Sequence, residues 1–84
     1  MSMVTLDAVT AAVRAKVARH VLRDFGDGDD FQRDLHILSD DLTAIALTLE
    51  DQLGVRLDRR EYRKITNVMS FAKALHEQLS AKDR

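Results

Sequence analysis

Residues 39–54 read SDDLTAIALTLEDQLG, and this stretch has the marks of one complete helix with both of its ends. Ser39 is a favourable N-cap, and the two Asp that follow it suit the positive end of the helix dipole. Gly54 is predicted to end the helix as a C′ glycine. The apolar residues between them recur at spacings of three and four and form one buried stripe. These residues are Leu42, Ile45, Leu49 and Leu53.

Downstream of this helix the sequence predicts one short helix and one long helix. Asp58 is a typical N-cap for the short one, and Glu61 three residues later completes a variant of the capping box. Thr66 or Asn67 is expected to cap the long one, whose tail over residues 80–84 is expected to fray. The long helix carries the apolar stripe Val68, Phe71, Ala72, Leu75 and Leu79.

Upstream, a first helix is predicted from about Thr5 to Asp24. Its apolar stripe consists of Leu6, Val9, Val13, Val17 and Val21. Residues 25–30, FGDGDD, contain two Gly and three Asp without periodicity and predict a break. Residues 31–38 are predicted to form an ordered loop. Its anchors are expected to be Phe31, Leu35 and Leu38.

The chain of 84 residues has room for a single domain over residues 1–84. It has no Pro, which favours helices, and no Cys, which excludes disulfides, thiolate metal sites and a cysteine nucleophile. We predict an all-α fold, an antiparallel four-helix bundle with three longer helices, a short third helix and a long loop between the first two. The predicted core consists of Val9, Val13, Val17, Leu42, Ile45, Leu49, Leu53, Ile65, Val68, Phe71 and Leu75.

The sequence carries no signal for a membrane or for export. Its apolar runs are a few residues long, whereas roughly 20 are needed to cross a bilayer. The opening stretch MSMVTLDAVT lacks the basic segment and apolar run of a secretory signal. We therefore expect a cytoplasmic protein without membrane insertion, and nothing in the sequence demands more than a monomer.

The charge is unevenly distributed along the chain, although the net charge is only −1. Residues 1–23 carry one acid and four bases, residues 24–51 carry nine acids and one base, and residues 52–84 carry four acids and eight bases. The acidic middle can steer a basic partner toward it. A net charge near zero argues against nucleic acid as the partner.

Catalytic and metal-binding patterns are weak. His20, His36 and His76 are not spaced as metal ligands. An EF-hand starting at Asp27 would need Gly at its sixth position and Glu at its twelfth, where this chain has Gln32 and Leu38. Ser39 lies near a His and an Asp in sequence, but a chain this short lacks a usual hydrolase scaffold. We predict no metal site and no enzyme.

Residues 31–68 carry a series of residue types at fixed distances from Ser39. A Phe and an Asp-Leu pair precede the serine, and an acidic pair, a Leu, a Gly and two alternating aliphatic residues follow it. Lys, Ile, Thr and Val at positions 64, 65, 66 and 68 extend the register. This ungapped register resembles the acyl carrier protein family. The matching positions before residue 64 are Phe31, Asp34, Leu35, Ser39, Leu49, Glu50, Asp51, Leu53, Gly54, Val55 and Leu57.

The resemblance implies a carrier rather than a catalyst. In that family the serine receives a 4′-phosphopantetheine arm from coenzyme A through a phosphopantetheinyl transferase, so Ser39 is the implied attachment residue. The thiol of the arm holds an acyl group as a thioester, which acyl-loading and acyl-transferring enzymes add or remove. A phosphodiester at a helix N-terminus would also meet unpaired backbone N–H groups and the positive end of the dipole.

Two features depart from the family pattern. Leu38-Ser39-Asp40 stands where Asp-Ser-Leu is usual, and the predicted third helix is basic where the family is typically acidic. With about 100° per residue, the outer face of the second helix carries acids around one exposed Leu, which favours docking of partner enzymes. The predicted docking residues on both helices are Asp40, Asp41, Ala44, Leu47, Glu50, Asp51, Arg59 and Arg60.

Two alternatives stay open. The altered residues beside Ser39 are compatible with a carrier-like docking subunit that has lost its arm. Residues 49–65, LEDQLGVRLDRREYRKI, also have the turn and basic helix of a helix-turn-helix DNA-binding protein. The −8 charge of residues 24–51 opposes the second alternative, because it would repel DNA beside that helix.

Overall fold

The structure, a computed structural model, describes residues 4–82, and its regular elements within that range are all helices. They are α1 (Leu6–Ala18), α2 (Ser39–Leu53), α3 (Arg59–Lys64) and α4 (Val68–Lys82). The all-α prediction, with three longer helices, a short third helix and a long first loop, is confirmed. No helix within this range is long and apolar enough to cross a membrane.

The core lies mainly between α1 and α4, with α2 packed more lightly against α1. Nine of the eleven predicted core residues are buried; the exceptions, Leu42 and Leu53, are partly buried at its edge. The Phe31 ring meets the Phe71 ring edge-on at 6.2 Å, so the first loop is tied to α4 through the centre of the core.

The first helix is shorter than predicted, because α1 ends at Ala18 rather than at Asp24. The N–H groups of Arg19 and His20 donate to carbonyls three residues back, which tightens the last turn and ends the helix. Val21 is still buried after this turn. The apolar spacing therefore continued past the point where the helix stops.

The loop over residues 31–38 is anchored differently from the prediction at one position. Phe31 and Leu35 are buried as expected, but Leu38 is 69% exposed and Ile37 is buried in its place. His36 adopts a left-handed conformation with φ 55°, which changes the direction of the chain just before Ile37. The Ile37 N–H then donates to the Phe31 carbonyl at 2.8 Å and closes the loop.

The end of α2 and the starts of α3 and α4 follow the sequence signals closely. Gly54 ends α2 with φ 69°, and the Asp58 carboxylate accepts from the Glu61 N–H at 2.9 Å at the start of α3. The Asn67 Oδ1 accepts from the Ser70 N–H at 2.8 Å and caps α4, so of the two predicted caps Asn67 is the one used. The structure continues α4 as far as Lys82; of residues 80–84, which are predicted to fray, the last two lie outside the described residues.

Candidate functional site

Ser39 is the first residue of α2, and its side chain is exposed. The prediction that it caps the helix is wrong, because Leu38 occupies the N-cap position and no side chain there accepts a hydrogen bond. The helix starts one residue early because Leu42 N–H donates to the Leu38 carbonyl at 2.9 Å. Within residues 4–82 the Ser39 hydroxyl has no hydrogen-bond partner, and it is accessible from solvent.

A cleft of about 570 Å³ opens beside Ser39. It lies between the start of α2, one side of α3 and the loop at residues 30–32, and its size falls in the usual range for small-molecule sites. Its lining combines apolar side chains with hydroxyl and guanidinium groups. The lining residues are Asp30, Phe31, Gln32, Ser39, Leu42, Thr43, Arg59, Tyr62, Arg63, Ile65 and Thr66.

The outer face of α2 carries acids around an apolar centre, as predicted. Leu47 is 57% exposed, and the helix positions flanking it on this face are exposed too. Three predicted docking acids, Asp40, Asp41 and Asp51, have exposed side chains, and so has Ala44. We call the exposed set Asp40, Asp41, Ala44, Leu47 and Asp51 the α2 face.

Glu50 does not belong to the α2 face, so its prediction as a docking residue is wrong. Its side chain is only 8% exposed, and its two carboxylate oxygens accept hydrogen bonds from the Tyr62 hydroxyl and from the Leu57 N–H, the latter at 3.2 Å. On a helical projection Glu50 lies about 80° from Leu42, between the apolar stripe and the outer face, so helical periodicity alone does not decide its burial.

These hydrogen bonds hold α3 in place although α3 itself buries no residue. Burial and the neighbouring Glu50 carboxylate, as hydrogen-bond acceptor and as charge, raise the pKa of Tyr62 to about 12. The phenol therefore stays a donor at neutral pH, and the side of α3 that lines the cleft is fixed against α2. No pattern in the sequence predicts this role for Tyr62.

The α3 arginines face two ways. Arg59 and Arg63 line the cleft, whereas Arg60, also exposed, is not part of the lining. None of the three has an ion pair within the described residues. The two predicted docking residues of α3 therefore lie in different surroundings. Arg59 borders the cleft beside Ser39, and Arg60 is exposed outside the cleft lining.

The acidic loop before α2 uses its carboxylates internally. Asp27 pairs with Arg14, whose guanidinium also lies 4.9 Å from the centre of the Phe25 ring. Asp30 accepts from two backbone N–H groups, and the one from Arg33 is the main reason why its pKa is lowered. No group of three or more potential metal ligands occurs in residues 4–82.

Comparison with known proteins adds no relative: no protein-family model matches the chain, and no curated protein matches it.

Proposed function

We propose that this protein is an acyl carrier that holds acyl groups as thioesters on a 4′-phosphopantetheine arm attached to Ser39. The observation that carries the proposal is the Ser39 hydroxyl itself. It is exposed, has no hydrogen-bond partner in residues 4–82, and stands at the start of a helix beside a cleft. The family resemblance of residues 31–68 supports the same residue independently of the geometry.

The residues around Ser39 fit such a group. The backbone N–H groups at the first turn of α2 favour a phosphodiester at this position. Attachment requires the Ser39 Oγ to displace the adenosine bisphosphate half of coenzyme A at phosphorus, with the hydroxyl proton passing to a base of the transferase. When bound, the group supplies the thiol that the chain lacks. The chain itself positions the hydroxyl and provides the surface that partners read.

The α2 face is the surface we assign to partner enzymes. Three exposed carboxylates flank the exposed Leu47 along α2, two near the start of the helix and one a turn beyond Leu47, so an apolar contact lies between negative charges. A basic patch on a transferase or acyl-transferring enzyme would complement this arrangement and be steered toward it. Arg60 adds positive charge at α3, which favours partners with a mixed rather than a purely basic surface.

Intact-mass spectrometry tests the proposal directly. The protein is incubated with coenzyme A and a broad-specificity phosphopantetheinyl transferase, beside Ser39→Ala and beside Ser80→Ala as a control at another exposed serine. Wild type and Ser80→Ala are expected to gain one phosphopantetheine, and Ser39→Ala none. A gain on Ser39→Ala would remove Ser39 as the attachment residue.

The second candidate is a docking subunit of the same fold without the arm. The exposed Leu38 and the acidic Asp40 beside Ser39 favour it, because both differ from the flanks that transferases of this family meet. Protein purified from its native host decides between the two. An unmodified mass from the host, together with no gain in vitro, would favour the docking subunit.

DNA binding remains the weaker alternative. The basic α3 has six residues, and the α2 face beside it in the chain is acidic. We expect the protein to pass through a heparin column at moderate salt. Retention there, with a steep salt dependence, would favour the DNA-binding alternative.

A further inference from the structure

The cleft beside Ser39 has an apolar floor and a cationic edge. Phe31 and Ile65 are buried beneath it, and Leu42 contributes a partly buried side chain from α2. Arg59 and Arg63 enter the lining from α3. Because they are four residues apart on one helix, their side chains lie on the same face and can reach the same ligand group.

The lining of the cleft carries two arginines against one carboxylate, so its net charge is positive. Neither Arg59 nor Arg63 has an ion pair inside the described part of the chain. The carboxylate in the lining belongs to Asp30, and its oxygen Oδ1 is already occupied by the N–H groups of Gln32 and Arg33. Two guanidinium groups are therefore available to a ligand that also fills an apolar cleft.

The position of this edge is fixed rather than left to loop motion. The Tyr62 hydroxyl, on the same short helix, donates to Glu50 of α2, and the other Glu50 oxygen accepts from Leu57 just before α3. The first of these hydrogen bonds is partly buried and the second is buried, and together they favour one arrangement, since breaking them leaves polar groups unpaired. The arginines thus border the cleft on a helix whose placement is set by α2.

We propose that this cleft selects cargo whose acyl chain ends in a carboxylate, with the carboxylate bound by Arg59 and Arg63. The planar guanidinium offers paired donors that match a carboxylate, and the apolar floor accepts the methylene chain. The inference rests on the proposed function, because the arm is what would deliver the cargo. The binding preference of the cleft is nevertheless testable without attachment.

An anionic group could reach these arginines from a second source, the phosphodiester that joins the arm to Ser39. We favour the cargo, because the first-turn N–H groups of α2 serve a phosphodiester at Ser39, whereas Arg59 and Arg63 lie on another helix. The two sources share the chemistry of paired anionic oxygens, so the experiment has to separate them.

The first arm of the experiment uses the unmodified protein and free thioesters. Glutaryl-pantetheine is titrated against a neutral thioester of the same shape that ends in an isopropyl group, with NMR signals of the arginine Nε–H groups and of the Leu42 and Ile65 methyls as readout. We expect the carboxylate-tipped ligand to bind about fivefold to tenfold more tightly, a modest preference because both arginines are solvent-exposed.

Arginine variants test which residues cause the preference for the carboxylate-tipped ligand. Arg59→Gln and Arg63→Gln together are expected to bring the two ligands to equal affinity, while the affinity for the neutral one stays unchanged. Arg56→Gln is the matched control, since Arg56 is exposed and lies outside the cleft lining. Equal affinities in wild type, or a preference that survives the double variant, would overturn the proposal.

Two further arms separate the possible failures. Phosphopantetheine without cargo is added as competitor, and displacement as strong as by glutaryl-pantetheine would assign the arginines to the phosphate and overturn cargo selection. Loading from glutaryl-coenzyme A then tests attachment. A cleft preference with no loading of Ser39 would contradict the carrier proposal alone, whereas loading without a preference would contradict the selection alone.

Discussion

The α1–α4 side of the molecule and the α2–α3 side are held together by different chemistry. Between α1 and α4 the contact is apolar, with Val9, Val13, Val68, Phe71 and Leu75 fully buried. On the other side α3 buries no residue. The free energy gained by apolar burial grows with the buried area and does not depend on direction. A hydrogen bond requires a specific geometry and contributes little net free energy. Because α2 also buries Ile45, Ala46 and Leu49, apolar burial is weakest at α3, which borders the candidate site.

One polar residue accepts hydrogen bonds from α3 and from the chain just before it. Glu50 joins α2 to the Tyr62 hydroxyl and to the chain entering α3. Segments with few buried apolar contacts open locally at lower cost than the core does. Because α3 itself buries no residue, these two hydrogen bonds help to keep the edge of the cleft beside Ser39 in one position.

The largest effect is expected at the centre of the apolar side. Phe71→Ala removes the ring that packs edge-on against Phe31 and should lower the free energy of unfolding by about 3–5 kcal/mol. Urea denaturation followed by circular dichroism measures it. Met69→Ala, at a 54% exposed position on the same helix, should change it by less than about 0.5 kcal/mol. Similar losses for both variants would contradict an apolar core centred here.

A smaller loss of unfolding free energy is expected when the hydrogen bonds between Glu50 and the α3 region are removed. Glu50→Ala leaves the Leu57 N–H and the Tyr62 hydroxyl without their acceptor and should cost about 1–3 kcal/mol. The neighbouring exposed Asp51→Ala is the control, with an expected change within about 0.5 kcal/mol. If the two variants lose equal stability in the same urea titration, Glu50 does not hold α3.

The two polar helix starts on the site side should differ as well. Asp58 accepts from the Glu61 N–H, so Asp58→Ala should cost about 1 kcal/mol. Ser39 makes no such bond at the start of α2, so Ser39→Ala should change the stability by less than about 0.5 kcal/mol. A thermal-melt comparison of both variants with wild type measures the difference. A loss at Ser39→Ala equal to that at Asp58→Ala would restore Ser39 as a cap.

The apolar side could be predicted from the sequence because it depends on periodicity. The valines of α1 and the Phe71 stripe of α4 follow the helical repeat, and the structure buries them. The same repeat failed at the end of α1, since Val21 stays buried after a tighter turn has replaced the helix. Periodicity reports which residues face the core, and it is less informative about where a helix stops.

The site side was harder to predict because its key contacts are made between particular polar atoms. An acid in an acidic stretch resembles a surface residue, so Glu50 was placed on the docking face. Its burial is favourable because two groups further along the chain, the Leu57 N–H and the Tyr62 hydroxyl, donate to its carboxylate. Likewise the left-handed His36, which moves Ile37 and not Leu38 into the core, has no periodic signature.

The last effect we predict is a change in titration at Tyr62, which is the one tyrosine of the chain. Tyrosinate absorbance should give a midpoint near pH 12 in the native protein and near about 10 after unfolding in urea. A folded-state pKa above the unfolded one stabilises the fold fully below about pH 10, and that contribution is lost as the pH rises toward 12.

Glu50→Gln separates the causes of this raised pKa. It keeps an oxygen acceptor for the phenol and removes the charge, so the native midpoint should fall but remain above the unfolded value, because burial still opposes ionisation. Tyr62→Phe should lose less stability than wild type between pH 10 and 12. If native and unfolded midpoints coincide, the phenol is not engaged by Glu50, and α3 would have to be held on α2 by contacts other than this polar link.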